Sequence, residues 1–142
     1  MRALLDVNVL IALHDHDHVH HDQATAWLAK NAVHGWASCP LTQNGCLRIM
    51  AQPAYPGFQP LAVLMGMLQR STVNSFHALW NDDISLLDTT RFDPSRVHHP
   101  KQLTDVYLLG LAVKNRGRMV TFDQRIALDA VRGARAEHLV VL

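Results

Sequence analysis

The 142-residue sequence predicts an α/β fold, in which helices flank a central parallel sheet on both faces. Short apolar runs alternate with stretches of helical spacing, and this alternation favours parallel strands joined by right-handed crossovers. A hydrophobic fraction of 49% and a charged fraction of 18% are typical of a chain that folds around a full core. At this length we expect one core, so residues 1–142 are assigned to a single domain.

The predicted strands are short and apolar, and polar or turn-forming residues follow most of them. They are Ala3–Leu5, Trp36–Cys39 (stopped by Pro40), His77–Trp80, Met119–Phe122 and His138–Leu142. The predicted helices show apolar residues at helical spacing. They are Val7–Leu13, Asp22–Ala32, Thr42–Met50, Leu61–Leu68 and Thr104–Val113.

The remaining segments are predicted to be loops: His14–His21, Pro53–Pro60 and Leu86–Pro100. One helix stands out, because Leu61–Leu68 is apolar nearly all round despite Gly66. Such a helix is either deeply buried or covered by a partner.

Charge and cysteine content narrow the class of protein. The net charge is only +1, so contact with a nucleic acid must be local rather than spread over a basic surface. Cys39 and Cys46 lack metal-ligand spacing and are interpreted as reduced core thiols of a cytoplasmic protein. The apolar run after Met1 is too short for a signal peptide, and no segment is long enough to span a bilayer.

Three aspartates occupy similar places at the ends of predicted elements. Asp6 follows the first strand, Asp105 opens the longest helical pattern, and Asp123 follows the strand Met119–Phe122. All three can converge at one end of the sheet, where open α/β folds bind ligands. At about 4 Å and an effective dielectric of about 20, each unpaired carboxylate pair costs about 4 kcal/mol. A hard divalent cation would offset this repulsion.

Each acid also has a simpler interpretation when it is taken alone. Asp6 or Asn8 can cap the helix that follows, and Asn8 can instead orient the Asp6 carboxylate. Asp105 suits the first turn of a helix, and Asp123 suits a turn. The site hypothesis depends on all three acids recurring at the same sheet edge, which capping does not require.

Two further groups of residues have possible binding roles. The histidine-rich segment His14–His21 is predicted to be a solvated loop, although such tracts can bind metal through composition alone. Arg48 and Arg125 lie near the predicted site segments and are candidates to contact a phosphate backbone.

Four segments, in this order and spacing, carry a family resemblance. They are Leu5–Leu10, Thr42–Arg48, Gln102–Asp105 with the apolar helix after it, and Thr121–Asp123. Together they resemble the PIN-domain ribonucleases, and in particular the VapC-type toxins of bacterial toxin–antitoxin pairs. The resemblance spans essentially the whole chain.

The resemblance implies a central parallel sheet with an acidic pocket that binds Mg²⁺ or Mn²⁺. It implies cleavage of RNA, inhibition of translation, neutralisation by a cognate antitoxin, and a homodimer. By position, Asp6, Asp105 and Asp123 would be the acidic ligands and Thr121 a supporting hydroxyl.

One position departs from the family pattern. Many members carry a Glu on the helix matched here by Thr42–Met50, where this chain has Asn44 and Gly45. Glu137 lies elsewhere in the pattern. The departure implies a weaker site, a single ion, or recruitment of the Asn44 carbonyl oxygen.

The leading hypothesis is therefore a metal-dependent endoribonuclease in which an activated water attacks the phosphodiester. A rival from another class is a catalytically weak or silent PIN-like module that binds RNA or protein. A receiver-like phosphoacceptor domain ranks last, because it needs a lysine near the pocket. Lys30, Lys101 and Lys114 do not lie at a convincing strand end.

Overall fold

A computed structural model describes residues 1–142 and contains one five-stranded sheet in which every strand is parallel to its neighbours. The strands are β1 (Ala3–Leu5), β2 (Trp36–Ser38), β3 (His77–Leu79), β4 (Arg118–Thr121) and β5 (Leu139–Val141). Their order across the sheet is β3-β2-β1-β4-β5. The predicted α/β class with a central parallel sheet is confirmed.

Five α-helices connect the strands or follow them along the chain. They are α1 (Val7–His14), α2 (His21–Asn31), α3 (Pro40–Met50), α4 (Leu61–Thr72) and α5 (Leu103–Lys114). Short 3₁₀ helices cover Ala32–His34, Pro94–Arg96, Pro100–Gln102, Leu128–Ala130 and Ala136–His138. None of the helices combines the length and the apolarity that a membrane crossing requires.

The two faces of the sheet carry two separate hydrophobic cores. Side chains alternate along a strand, so Leu5 of β1 packs with α1 to α4 while Leu4 packs with α5. Val120 and Met119 of β4 divide between the same two cores. Both faces are therefore covered by helices, as predicted, which is the usual condition of a parallel sheet.

Several helices begin or end away from their predicted limits. Pro40 is the first residue of α3 rather than only a stop for β2, because its fixed φ suits the first helical turn. Helix α4 continues to Thr72, one turn beyond Leu68, and tolerates Gly66. The predicted loop Leu86–Pro100 contains the 3₁₀ turn Pro94–Arg96.

Helix α4 is not deeply buried. Leu64 and Leu68 enter the core, but Leu61, Val63 and Met65 are each about half exposed, at 51%, 51% and 53%. Of the two alternatives for this apolar helix, burial within the chain is wrong.

The order of the strands places a crevice beside β1. The chain runs from β1 outwards to β2 and β3, and then returns to the other side of β1 with β4 and β5. Open α/β sheets bind ligands where the strand order reverses, outside the carboxyl ends of the strands. Here the carboxyl ends of β1 and β4 lie side by side, and Asp6 and Asp123 follow them.

Candidate active site

Asp6 is a buried carboxylate at the end of the central strand, with only 5% of its surface exposed. It is the N-cap of α1, where Oδ1 accepts a hydrogen bond of 2.6 Å from the Val7 amide. Its Oδ2 accepts a second bond, 2.8 Å long, from the Thr121 hydroxyl of β4. Capping is thus a real role of Asp6, and it coexists with a position in the crevice.

Thr121 connects two of the three predicted acids through one hydroxyl group. The hydroxyl donates its proton to Asp6 and accepts a 3.0 Å hydrogen bond from the Asp123 amide. Thr121 is fully buried, so this bridge is shielded from water. Because a hydroxyl has one proton and two lone pairs, both roles are filled at once.

The three acids share one electrostatic environment. Burial is the main cause that raises the pKa of Asp105 to about 6, and repulsion from Asp6 and Asp123 raises it further. Burial also raises the pKa of Asp6, against the hydrogen bonds from Thr121 and Val7 that lower it. Asp105 and Asp123 line one cavity, and the charges of Asp6 and Asp123 reach Asp105, so the three acids lie at the same end of the sheet.

Beside the acids lies a cavity of about 350 Å³ without a hydrophobic lining residue. Its lining residues are His99, Lys101, Gln102, Asp105, Asp123 and Arg125. The Arg125 amide donates to Asp123 Oδ1 at 2.8 Å, while its side chain is 92% exposed. The cavity therefore places basic side chains next to carboxylates, an arrangement that suits a phosphodiester with a bound cation.

The turn before α5 supplies half of this lining and was missed from the sequence. The Gln102 side chain accepts hydrogen bonds from the amides of His98 and His99, and His99 Nδ1 accepts one from the Lys101 amide. These bonds form a capping box around Pro100. The Pro-x-Gln spacing directly before the predicted helix was the available signal.

No protein-family model matches the chain. The chain is, however, 53% identical to ribonuclease VapC44 of Mycobacterium tuberculosis over 142 residues, which is all of both chains. The chain belongs to the VapC ribonuclease family. It is also 37% identical to ribonuclease VapC39 of the same organism over 134 residues, covering 94% of this chain and 96% of the relative. Ribonuclease VapC38 is 38% identical over 122 residues, covering 85% and 84% respectively. The resemblance to VapC-type chains is confirmed.

The other supporting residues predicted for this VapC chain lie outside the acidic cavity. Asn8 is exposed in the first turn of α1, and the hydrogen bonds that orient Asp6 come from Val7 and Thr121 instead. Asn44 lines a different cavity, between α3 and α4. Arg48 is exposed near the end of α3 and does not line the acidic cavity.

Helix α3, on which the resemblance implies a Glu, packs closely against α1. Gly45 of α3 is buried against α1, and a Cβ built there would lie 2.8 Å from Val7 Cγ2. A side chain at position 45 therefore requires Val7 to shift. Glu137 lies in a 3₁₀ helix before β5, at the amino end of the sheet, and offers no substitute at the carboxyl end.

The donor set around the VapC acids consists of hard oxygen atoms, which fits Mg²⁺ better than Zn²⁺. As placed, no three His, Cys, Asp or Glu side chains are close enough to hold an ion together. Each Asp6 oxygen accepts one hydrogen bond and keeps a further lone pair. Mg²⁺ usually retains several waters and needs only one or two carboxylates from the protein.

Proposed function

We propose that this VapC chain is a Mg²⁺-dependent endoribonuclease, the toxin of a toxin–antitoxin pair, and that it acts in the cytoplasm. The observation that carries the proposal is the acidic cavity, in which Asp105 and Asp123 face Lys101 and Arg125. Carboxylates that repel one another are stabilised by a cation, and the basic side chains beside them can bind an anion. A metal ion and an RNA phosphate would fill these two roles.

Asp6 and Asp105 would hold Mg²⁺, or Mn²⁺ in its place, and Asp123 would bind it directly or through water. Burial, with a smaller contribution from the neighbouring carboxylates, raises the pKa values of Asp6 and Asp105, and a bound cation would offset both effects. When bound, the ion lowers the pKa of a water molecule and offsets the charge of the phosphate.

The protein side chains then have separate tasks. Thr121 keeps the Asp6 carboxylate in one orientation, since it donates to Oδ2 from a buried position. Arg125 and Lys101 would bind non-bridging phosphate oxygens and hold the RNA backbone against the acids. No side-chain nucleophile is required, because water attacks in line with the departing oxygen.

The test compares three Asp→Asn variants. We expect Asp6→Asn and Asp105→Asn to lose cleavage of RNA and to lose the rise in melting temperature that Mg²⁺ gives the wild type. Asp129→Asn is the matched control, because Asp129 forms only an exposed ion pair with Arg96. Mapping RNA 5′ ends after induced expression measures cleavage in cells. Full activity of Asp105→Asn would refute the site.

A catalytically silent PIN-like module that binds RNA or protein is the second candidate. The observation that favours it is the absence of three side chains already placed as metal ligands. Helix α3 carries no Glu, and the crowding of Gly45 against Val7 leaves little room for one at that position, which points the same way. A silent module would bind RNA without turnover during a Mg²⁺ titration, whereas the enzyme would release cut products.

We also propose two protein partners, a cognate antitoxin and a second copy of the chain. Helix α4 supports an apolar partner, because Leu61, Val63 and Met65 expose about half of their surface. Light scattering measures the mass of the isolated chain. A strictly monomeric mass at all accessible concentrations would rule out the homodimer.

A further inference from the structure

Three rings that the proposed chemistry does not use form a cluster on the surface. His20 lies 4.6 Å from Phe122 between ring centroids, with 28° between the planes. His18 lies 6.5 Å from Phe122 at 16°, and 5.8 Å from His20 at 44°. His20 is exposed, whereas His18 and Phe122 are partly buried. We call these three residues the ring platform.

Hydrogen bonds hold the histidine loop of the ring platform in place. The His18 amide donates to the Asp15 carbonyl, and the His20 amide donates to His18 Nδ1 at 3.1 Å. The Tyr55 hydroxyl and the Asp17 amide both donate to the Asp15 carboxylate, which closes the turn from outside. A surface that is already ordered loses little conformational entropy when it binds a ligand.

The ring platform adjoins the acidic cavity through the backbone. Phe122 stands between Thr121, which bonds Asp6, and Asp123, which lines the cavity. Arg125 lies two residues beyond Asp123, and its guanidinium is exposed, with Nε 3.9 Å from Asp123 Oδ1. A phosphate beside Asp123 would therefore have a cation within reach and aromatic surface one residue away.

We propose that the ring platform stacks a nucleobase of single-stranded RNA next to the phosphate that is cut. This inference rests on the proposed function and names the form of its substrate. Unpaired bases stack on aromatic and histidine rings, and RNA-binding proteins use such contacts on single strands and loops. The net charge of +1 leaves little long-range attraction, so stacking supplies the affinity that a basic surface would otherwise give.

The ring platform is less well suited to binding zinc or to packing in the hydrophobic core. No group of three metal-binding side chains is formed by the histidine loop, so the rings are not arranged as a zinc site. Phe122 packs its inner edge on the core beneath β4, but His20 is exposed and contributes nothing to that core. An exposed imidazole stacked on a phenyl ring fits a ligand with a flat face.

The experiment uses the full chain with Asp105→Asn to prevent turnover, and short oligoribonucleotides carrying 2-aminopurine at one position at a time. We expect one position to be quenched on binding, because stacking quenches this base. The double variant His18→Ala/His20→Ala should lose that quenching and bind about 5- to 100-fold more weakly. His34→Ala is the matched control, since His34 is exposed at the amino end of β2.

An abasic nucleotide supplies the second measurement. At the quenched position, it should weaken binding to the platform-intact protein and have no added effect on the double histidine variant. Phe122→Leu keeps an apolar contact with the core while removing the aromatic face, and should reproduce the loss of quenching. If the quenching persists in the double variant, the proposal that the ring platform stacks a base is wrong, and the nuclease proposal is unaffected. Failure of the platform-intact protein to bind any oligoribonucleotide overturns both.

Discussion

At the scale of single residues, the side chain of Thr121 connects two of the three acidic residues of the candidate site. One buried hydroxyl donates to the Asp6 carboxylate and accepts from the backbone amide of Asp123, so it ties together the two strand ends that carry these acids. The bond to Asp6 is not visible from spacing alone, because the two residues lie 115 positions apart. A valine has the same shape as threonine but makes neither bond.

We expect Thr121→Val to lower the free energy of unfolding by about 1–3 kcal/mol, because it leaves a buried acceptor and an amide unpaired. Mg²⁺ affinity should fall by about 10–100-fold, as found when partners that orient ligands are removed. Urea denaturation and calorimetric Mg²⁺ titration measure the two effects. Thr121→Ser keeps the hydroxyl and is the control. A valine variant as stable as the serine variant would contradict the bridge.

The raised pKa of Asp105 makes a prediction about pH in metal-free protein. Between its ordinary value of 3.8 and about 6, the folded state holds a proton that the unfolded chain releases. The contribution of Asp105 to the free energy of unfolding therefore falls as the pH rises through this window, and then stays constant. Asp105→Asn removes the free-energy cost of holding a charged carboxylate at this site. The variant should therefore be more stable than the wild type at about pH 7.

Urea denaturation with a chelator present measures this difference as a function of pH. The advantage of Asp105→Asn should shrink as the pH falls from about 6 towards 3.8. Adding Mg²⁺ at neutral pH should stabilise the wild type and leave the variant unchanged. Equal stability of the two proteins at neutral pH, without metal, would mean that Asp105 is not destabilised by its neighbours.

At the scale of elements, α1 and α3 are in close contact at Gly45. Val7 occupies the space above Gly45, and it supplies the three nearest atoms around a Cβ at that position. An added methyl group at position 45 meets overpacking of about 1–3 kcal/mol. Against this, alanine in a helix is favoured over glycine by about 1 kcal/mol.

Whether Gly45→Ala stabilises or destabilises the protein should therefore depend on residue 7. In the wild-type chain we expect a loss of stability of up to about 2 kcal/mol, since overpacking exceeds the gain in helix propensity. With Val7→Ala already present, the same change should stabilise by about 1 kcal/mol. Thermal melts of the four proteins form a double-mutant cycle. Stabilisation in both backgrounds would show that the helices are not in close contact.

The elements also show what could be predicted from the sequence. Apolar runs located all five strands, because a buried parallel strand has few polar residues to obscure it. Helix ends were less predictable, and Pro40 was taken only as a stop although proline also starts helices. The acids were found from their places after strands and at a helix start. His99 and Lys101 were missed although their turn had a local signal, whereas the ring platform arises only when the histidine loop meets Phe122.

At the scale of the whole molecule, the near-neutral charge limits how RNA is held. With Lys101 and Arg125 as the phosphate contacts, about two counterions would be released on binding, giving a slope of log affinity against log salt of about −1.4. Lys101→Ala and Arg125→Ala should each reduce the slope by about 0.7. Fluorescence anisotropy across a salt series measures it, with Arg96→Ala as a distant control. A slope as steep as about −5 would require a broad basic surface.

The position of the first strand at the centre of the sheet has a consequence for synthesis. Translation delivers β1 first, yet its neighbour β4 comes from the last quarter of the chain. In a nascent polypeptide the Asp6 carboxylate can accept from the Val7 amide, but it lacks its second donor until Thr121 has left the ribosome. The acidic cavity thus assembles only after β4 and Asp123 have emerged. Fragments released by early termination lack it, so an interrupted message yields no active toxin.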